Sequence, residues 1–245
     1  MDDGYFSAVL FDLDGTLVDT APDMVAVLQA MQNAHGLDAV DYAVGRSQVS
    51  NGALGLLGLG FPDVEINLGG DLHVEYLERY AEMICEHSRV FTGIEPLLDL
   101  LDDAGCPWGV VTNKPEFLTN PLLDALGLSS RSACTVSGDS LPVRKPDPAP
   151  LLLACDIAGV DAYRSIYIGD AARDIEAGLR AGMATIAAGY GYITEDDEPG
   201  WTREYTALYD RGRLLKIEGG VTPVEGDHLT RKAFFAWRPP APTPD

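Results

Sequence analysis

The sequence predicts an α/β protein: a doubly wound parallel sheet interrupted by an inserted helical domain. Three observations lead there. Short apolar runs alternate with segments of helical period. One long interval after the first run shows helices and no convincing strand. Polar residues that bear chemistry stand just after the apolar runs.

The strands come first. Ala8–Phe11, Trp108–Val111, Cys134–Val136, Ile166–Ile168 and Thr185–Ala188 are brief, β-branched or aromatic, and bounded by turn residues. Such uninterrupted apolar runs suit strands buried on both faces. Between them, Pro96–Ala104 places Leu97, Leu98, Leu100 and Leu101 before Gly105, a glycine positioned to end a helix. Glu116–Leu126 follows Pro115 and stops at Gly127; Ala149–Ala158 stops at Gly159; Ile175–Ala181 stops at Gly182. Strand and helix alternate, so right-handed crossovers should place helices on both sheet faces.

The interval from about Thr20 to Val90 breaks this rhythm. Pro22–Ala34 reads as a helix, with Thr20 as its N-cap and Gly36 beyond its end. Leu72–Cys85 reads as another, with Leu72, Tyr76, Leu77, Tyr80 and Ile84 on one face. A connection this long needs a core of its own, which favours a helical subdomain over a long crossover packed on the sheet. The expected division is a core from 1–19 and 91–217, a helical cap from 20–90, and an extension from 218–245. That extension loses periodicity and ends in Arg238-Pro239-Pro240-Ala241-Pro242, an extended or disordered composition. A solvated tail and a partner-binding segment are both open to it.

Composition limits the function classes. The chain has 245 residues, 46% hydrophobic and 22% charged, which is globular. Its 17 Lys+Arg against 38 Asp+Glu give a formal charge of −21. Nucleic acid and anionic membrane are therefore not expected as partners. Cys85, Cys106, Cys134 and Cys155 are too scattered for a zinc site and read as reduced core residues. No stretch has the roughly 20 apolar residues of a spanning helix, and the acidic start Met1-Asp2-Asp3 does not resemble a signal peptide. The expected location is cytoplasmic.

In an open parallel sheet, ligands bind beyond the carboxyl ends of the strands. After Phe11 comes Asp12-Leu13-Asp14-Gly15-Thr16; after Val111 come Thr112 and Asn113. The loop after the third run carries Arg144-Lys145-Pro146-Asp147-Pro148, and Ile168 precedes Gly169-Asp170 and then Asp174. Any one of these is an ordinary turn. In this order they deliver carboxylates, a hydroxyl and an ammonium to one edge. Asp12, Asp14 and Asp170 together would repel one another, and a hard cation relieves that repulsion.

Those segments carry a resemblance. Asp12-Leu13-Asp14-Gly15-Thr16-Leu17-Val18-Asp19-Thr20, Val110-Val111-Thr112-Asn113, Arg144-Lys145-Pro146-Asp147-Pro148 and Gly169-Asp170-Ala171-Ala172-Arg173-Asp174 resemble the four motifs of the haloacid dehalogenase superfamily. The likeness covers roughly residues 6–217 and is strongest to its phosphoglycolate phosphatase-like members. It implies a Rossmann-type core with a helical cap after the first motif. It also implies a phosphomonoesterase using Mg²⁺ and an aspartyl-phosphate.

In that reading Asp12 attacks phosphorus, and Asp14 protonates the leaving alcohol and then activates water. Mg²⁺ is held by Asp12, the main-chain carbonyl of Asp14, and Asp170; Asp174 binds a metal water or orients Lys145. Thr112, the main-chain N–H of Asn113 and Lys145 hold the phosphoryl oxygens. Position 171 is Ala, where relatives often carry Ser, Thr or Asp, so the metal shell has one fewer potential helper.

Rival functions are a phosphotransferase or mutase of the same superfamily and a phosphoacceptor signalling domain. The second is disfavoured by the chain's length and by its helical insertion. Oligomeric state is not legible. The substrate is expected to be a small phosphorylated acid, 2-phosphoglycolate or N-acetylmuramic acid 6-phosphate. Gly45–Gly52 reads as a specificity loop between cap helices. Arg46, the only Lys or Arg between Met1 and Asp71, is the expected carboxylate ligand. His35, His73, His87 and His228 share no spacing and read as surface or core residues.

Overall fold

The computed structural model describes residues 6–193. In chain order the elements are β1 (Ala8–Phe11), β2 (Val18–Asp19), α1 (Ala21–Ala34), α2 (Tyr42–Arg46), α3 (Gly52–Gly60), α4 (Asp71–Glu82), β3 (Arg89–Val90) and α5 (Ile94–Asp103). Then follow β4 (Trp108–Val111), α6 (Glu116–Ala125), β5 (Thr135–Val136), α7 (Ala149–Ala158), β6 (Ser165–Gly169), α8 (Ala172–Arg180) and β7 (Ala184–Ala187). Short 3₁₀ turns at Val49–Asn51 and Ala162–Arg164 complete the set.

Five strands form a sheet in the order β5-β4-β1-β6-β7, and every pairing is parallel. The first strand is therefore central. The chain builds outward on one side of it, returns, and builds outward on the other. The carboxyl end of β1 lies at that reversal, where a crevice opens in this class of sheet.

Alternation along β1 shows why the strands are apolar throughout. Val9 and Phe11 join the core cluster that receives Leu97, Leu98 and Leu101 of α5 and Leu122 of α6. Leu10 joins the opposite cluster, with Leu151 and Ala154 of α7 and Ala177 of α8. Successive side chains point to opposite faces, and each face is covered by helices.

The helical insertion has a third cluster of its own. Met24, Leu28 and Met31 of α1 pack with Leu56 and Leu57 of α3 and Tyr76 and Tyr80 of α4. Leu118 and Tyr192 belong to the same cluster, so the insertion also rests on the sheet domain. The stretch expected at 194–217 and the extension at 218–245 lie outside the described residues.

The structure differs from the sequence reading in three places. The interval expected to lack strands holds β3 at its end, paired antiparallel with β2 through Val18↔Val90 and Asp19↔Arg89. Strands of two residues are too short to show period-two alternation. The expected loop at Gly45–Gly52 instead contains the end of α2 and a 3₁₀ turn. Helix α3 follows, hidden in sequence by Gly55, Gly58 and Gly60. Gly60 is needed for close approach: a Cβ there would stand 3.2 Å from Leu28 Cγ and nearer still to its Cδ1. The packing of α3 against α1 thus outweighs the low helix propensity of glycine.

Asp23, fully buried in the first turn of α1, fastens the two ends of the insertion. It accepts the main-chain N–H groups of His87 and Ser88, each at 2.8 Å, and the Ser88 hydroxyl at 2.6 Å. Substituting Asp23→Ala would strand these donors. A loss of about 2–4 kcal/mol is expected in urea unfolding, against about 1 kcal/mol for Ser88→Ala. Equal, small losses would mean that the carboxylate does not hold this crossing.

Candidate active site

Four loops at the carboxyl edge of the sheet converge. Asp12 directly follows β1, and its Oδ1 accepts the Leu13 N–H at 2.7 Å. Lys145, from the loop after β5, places its ammonium 2.8 Å from Asp12 Oδ1 and 2.8 Å from Asp174 Oδ1. The same ammonium donates to the Val111 carbonyl at 3.0 Å and the Tyr167 hydroxyl at 2.7 Å. Lys145 is buried, so its direction is set by these acceptors rather than by solvent.

Asp174, fully buried at the third position of α8, also accepts the Ala171 N–H at 2.9 Å. Asp170 stands at the end of β6 and accepts from Thr16 Oγ1 (3.2 Å), Ser50 Oγ (2.7 Å) and Tyr192 N–H (2.9 Å). Carboxylate oxygens of Asp12, Asp170 and Asp174 all lie within 4.8 Å of one another.

The charges do not balance. Burial pushes the Asp12 carboxyl up to about 7, Asp174 adds repulsion, and Lys145 only partly opposes them. Burial and then Asp174 push Asp170 up to about 6, against its hydrogen bonds from Ser50 and Tyr192. Burial would lower the pKa of Lys145, but Asp12 and Asp174 outweigh it and the net shift is upward. Asp174 is committed to Lys145 and to a main-chain donor. Asp12 and Asp170 are the pair left short of positive charge. Asp12 Oδ2 has no hydrogen-bond partner among the described residues. Hard oxygen donors in this state fit a divalent cation.

Asp14 is placed differently. Gly15, at φ +81°, turns the chain just after it, and a Cβ there would collide with the Asp170 carboxylate. Asp14 Oδ1 accepts from Thr20 Oγ1 at 2.6 Å and from Lys114 Nζ at 3.0 Å. Thr20, the residue before α1, therefore does not cap that helix with its side chain. The Tyr192 hydroxyl does so instead, accepting the N–H groups of Thr20 and Ala21 at 2.8 and 2.9 Å.

Thr112 continues the ladder through its N–H to Val136 O, and its Oγ1 accepts the Lys114 N–H at 3.1 Å. Its hydroxyl proton is thus left to donate. The Asn113 side chain makes two bonds to the Lys145 main chain, at 3.0 and 3.1 Å, and so ties the two loops together. Asp12, Asp14, Thr112 and Asn113 open onto one cavity of about 310 Å³ between the sheet edge and the helical insertion. Lys145 lies beneath it, against Asp12.

Arg46 is not among the residues lining that cavity. Its guanidinium lies 4.7 Å from the centre of the Tyr192 ring and donates to Gly191 O at 3.2 Å. These contacts hold the insertion to the loop after β7. Ser50, within the expected specificity segment, does line the cavity. His73, read as structural, lines it too.

Lys114 and Tyr80 were not legible as site residues. Lys114 is buried and also donates to the Tyr80 hydroxyl at 3.1 Å. A lysine just after the Thr112-Asn113 pair was the available signal. Its partners come from residues 34 and 100 positions away, which no local pattern reveals.

Comparison with known proteins agrees with this geometry. The profile of the haloacid dehalogenase-like hydrolases matches residues 6–182. The chain belongs to this family and is an enzyme of it. Within the family, the chain is 45% identical over 192 residues to a phosphoglycolate phosphatase of Xanthomonas campestris pv. campestris, covering 78% of this chain and 87% of that one. It is 47% identical over 198 residues to an N-acetylmuramic acid 6-phosphate phosphatase of Pseudomonas aeruginosa, covering 78% and 85%. A crystal structure from Haemophilus somnus, described as a predicted phosphoglycolate phosphatase, superposes with a TM-score of 0.68 at 28% identity over 80% of this chain and 92% of that one. No described helix is long and apolar enough to cross a membrane.

The charge imbalance has a measurable consequence. In chelator-treated protein, Asp12 and Asp170 hold protons more tightly folded than unfolded. The folded state therefore binds more protons between about pH 4 and 7, and stability falls as pH rises through that window. Melting temperature should drop by roughly 5 °C or more from pH 5 to pH 8. Asp170→Asn should flatten this drop. A drop unchanged in that variant would remove Asp170 from the imbalance.

Proposed function

We propose that the chain is a divalent-cation-dependent phosphomonoesterase acting on a small phosphorylated acid through an aspartyl-phosphate on Asp12. The carrying observation is the state of Asp12. One of its oxygens is fixed by Lys145 and the Leu13 N–H, the other has no partner among the described residues, and the residue lines the cavity. A carboxylate so held is oriented for attack without a large loss of entropy at the moment of reaction.

Each neighbouring residue has a task in this reading. The free Asp12 oxygen attacks phosphorus as the P–O bond to the substrate alcohol breaks. Asp14, lining the same cavity, gives its proton to the departing alkoxide. It then takes a proton from the water that attacks the phosphoenzyme, releasing phosphate and freeing Asp12. The Thr112 hydroxyl and the Asn113 main-chain N–H hold the phosphoryl oxygens. Lys145 offsets the charge shared by nucleophile and phosphoryl group, and Asp174 orients Lys145. Asp12, Asp170 and the Asp14 carbonyl would hold Mg²⁺, which neutralises the phosphoryl charge and lowers repulsion toward the nucleophile. The substrate, 2-phosphoglycolate or N-acetylmuramic acid 6-phosphate, is suggested by the names of the relatives.

Phosphate release measures the reading. Asp12→Asn should lower kcat by at least about 10³-fold with the fold intact; retention of a few per cent of activity would exclude a covalent role. In a single turnover, Asp14→Asn should slow release of an alkyl alcohol far more than release of p-nitrophenol, which needs no proton to leave, and equal losses in that first step would remove Asp14 as the acid. Chelation should abolish turnover and Mg²⁺ restore it. Full activity in excess chelator would reject the cation.

A further inference from the structure

The cavity carries more positive charge than phosphoryl chemistry uses. Besides Lys114, which is paired with Asp14, its lining includes two arginines, Arg144 and Arg173, and an uncharged donor, His73. Arg173 is occupied: it donates to the Ser50 carbonyl from the insertion. Arg144 is not. Its Nε donates to Gly138 O at 2.7 Å, which fixes the stem, and its two terminal nitrogens have no partner among the described residues. A guanidinium held by one edge presents its other edge as a two-pronged donor that matches a carboxylate.

His73 brings the second donor from the other side of the cavity. It lies in the first turn of α4, and its Nδ1 accepts the Gly69 N–H at 3.3 Å. The ring proton is therefore on Nε2, which has no partner among the described residues. Partial burial, and then the charge of Arg144, lower the pKa of His73. Both line the one cavity, Arg144 from the sheet domain and His73 from the insertion.

We propose that Arg144 and His73 form a second anion subsite, which takes the carboxylate of a phosphorylated sugar acid. The inference rests on the phosphatase reading for the phosphoryl end of the ligand. Arg144 lines the same cavity as Asp12 and Asp14, so the subsite and the reacting centre share one space. Leu54 and Leu68, 40% and 66% exposed, line the same cavity and offer apolar surface to the body of the ligand. A space of about 310 Å³ has room for an acid larger than a two-carbon one. An anion bridging Arg144 and His73 would draw the insertion onto the sheet edge.

The test uses twin ligands that differ only in the acidic arm: N-acetylmuramic acid 6-phosphate and N-acetylglucosamine 6-phosphate. Calorimetric binding is measured with Mg²⁺ in an Asp12→Asn background, where turnover does not interfere. The acid twin should bind at least tenfold more tightly than the neutral one. Arg144→Gln should erase that margin while changing the neutral twin less than twofold; Arg144→Lys should recover part of it; His73→Leu should reduce it several-fold. The subsite is overturned if the twins bind alike, if neither binds, if Arg144→Gln weakens both equally, or if the margin survives both substitutions. Phosphate release from the unsubstituted protein is scored separately. A selective subsite without phosphate release would retain this inference and reject the phosphatase reading.

Discussion

Three buried carboxylates crowd one sheet edge and a single buried ammonium pairs with two of them, and much of the surrounding structure follows from that arrangement. Lys145 bonds Asp12 and Asp174 and takes two further acceptors from β4 and β6, so it ties three strands' ends together. Gly169 leaves room for the Asp174 side chain, because a Cβ there would overlap the carboxylate. Asp170 collects donors from three separate segments, Thr16, Ser50 and Tyr192. Each of these bonds makes a buried negative charge tolerable, and together they fix the relative position of the loops. The residual imbalance is what makes the centre receptive to a cation.

The insertion meets the sheet domain through polar contacts concentrated near this centre. Ser50 bonds Asp170, Tyr80 bonds Lys114, and Arg46 stacks on Tyr192. Lys114 in turn bonds Asp14, so one buried lysine spans from a residue of α4 to the carboxylate assigned to proton transfer. Placement of the insertion and placement of Asp14 are therefore not independent. The aromatic residues do double duty, since Tyr192 caps α1 with its hydroxyl while its main-chain N–H serves Asp170.

How much of this was legible depended on range and length. Parallel strands buried on both faces leave continuous apolar runs, and β1 and β4 matched their expected bounds. The neighbouring residues Asp12, Thr112, Lys145 and Asp170 could be read because topology puts every strand end on one edge. Strands β2 and β3 and helix α3 were not legible, being either two residues long or rich in glycine for packing reasons. Arg46 stood out for its isolation in sequence, yet an aromatic ring and a carbonyl met it first in space. Arg144 was quoted within a motif without a task of its own, because its place in the cavity lining is visible only in the fold.

The β2–β3 ladder brings the entry and exit of the insertion side by side, with Asp19 opposite Arg89. Antiparallel partners stand about 4.5–5.5 Å apart, so some seventy residues leave and return through a gap the width of one residue pair. To the sheet domain, the insertion is then equivalent to a short loop. A protein engineer thus has a natural splice point between Asp19 and Arg89, provided that the contacts of Ser50 and Tyr80 with the sheet domain are rebuilt.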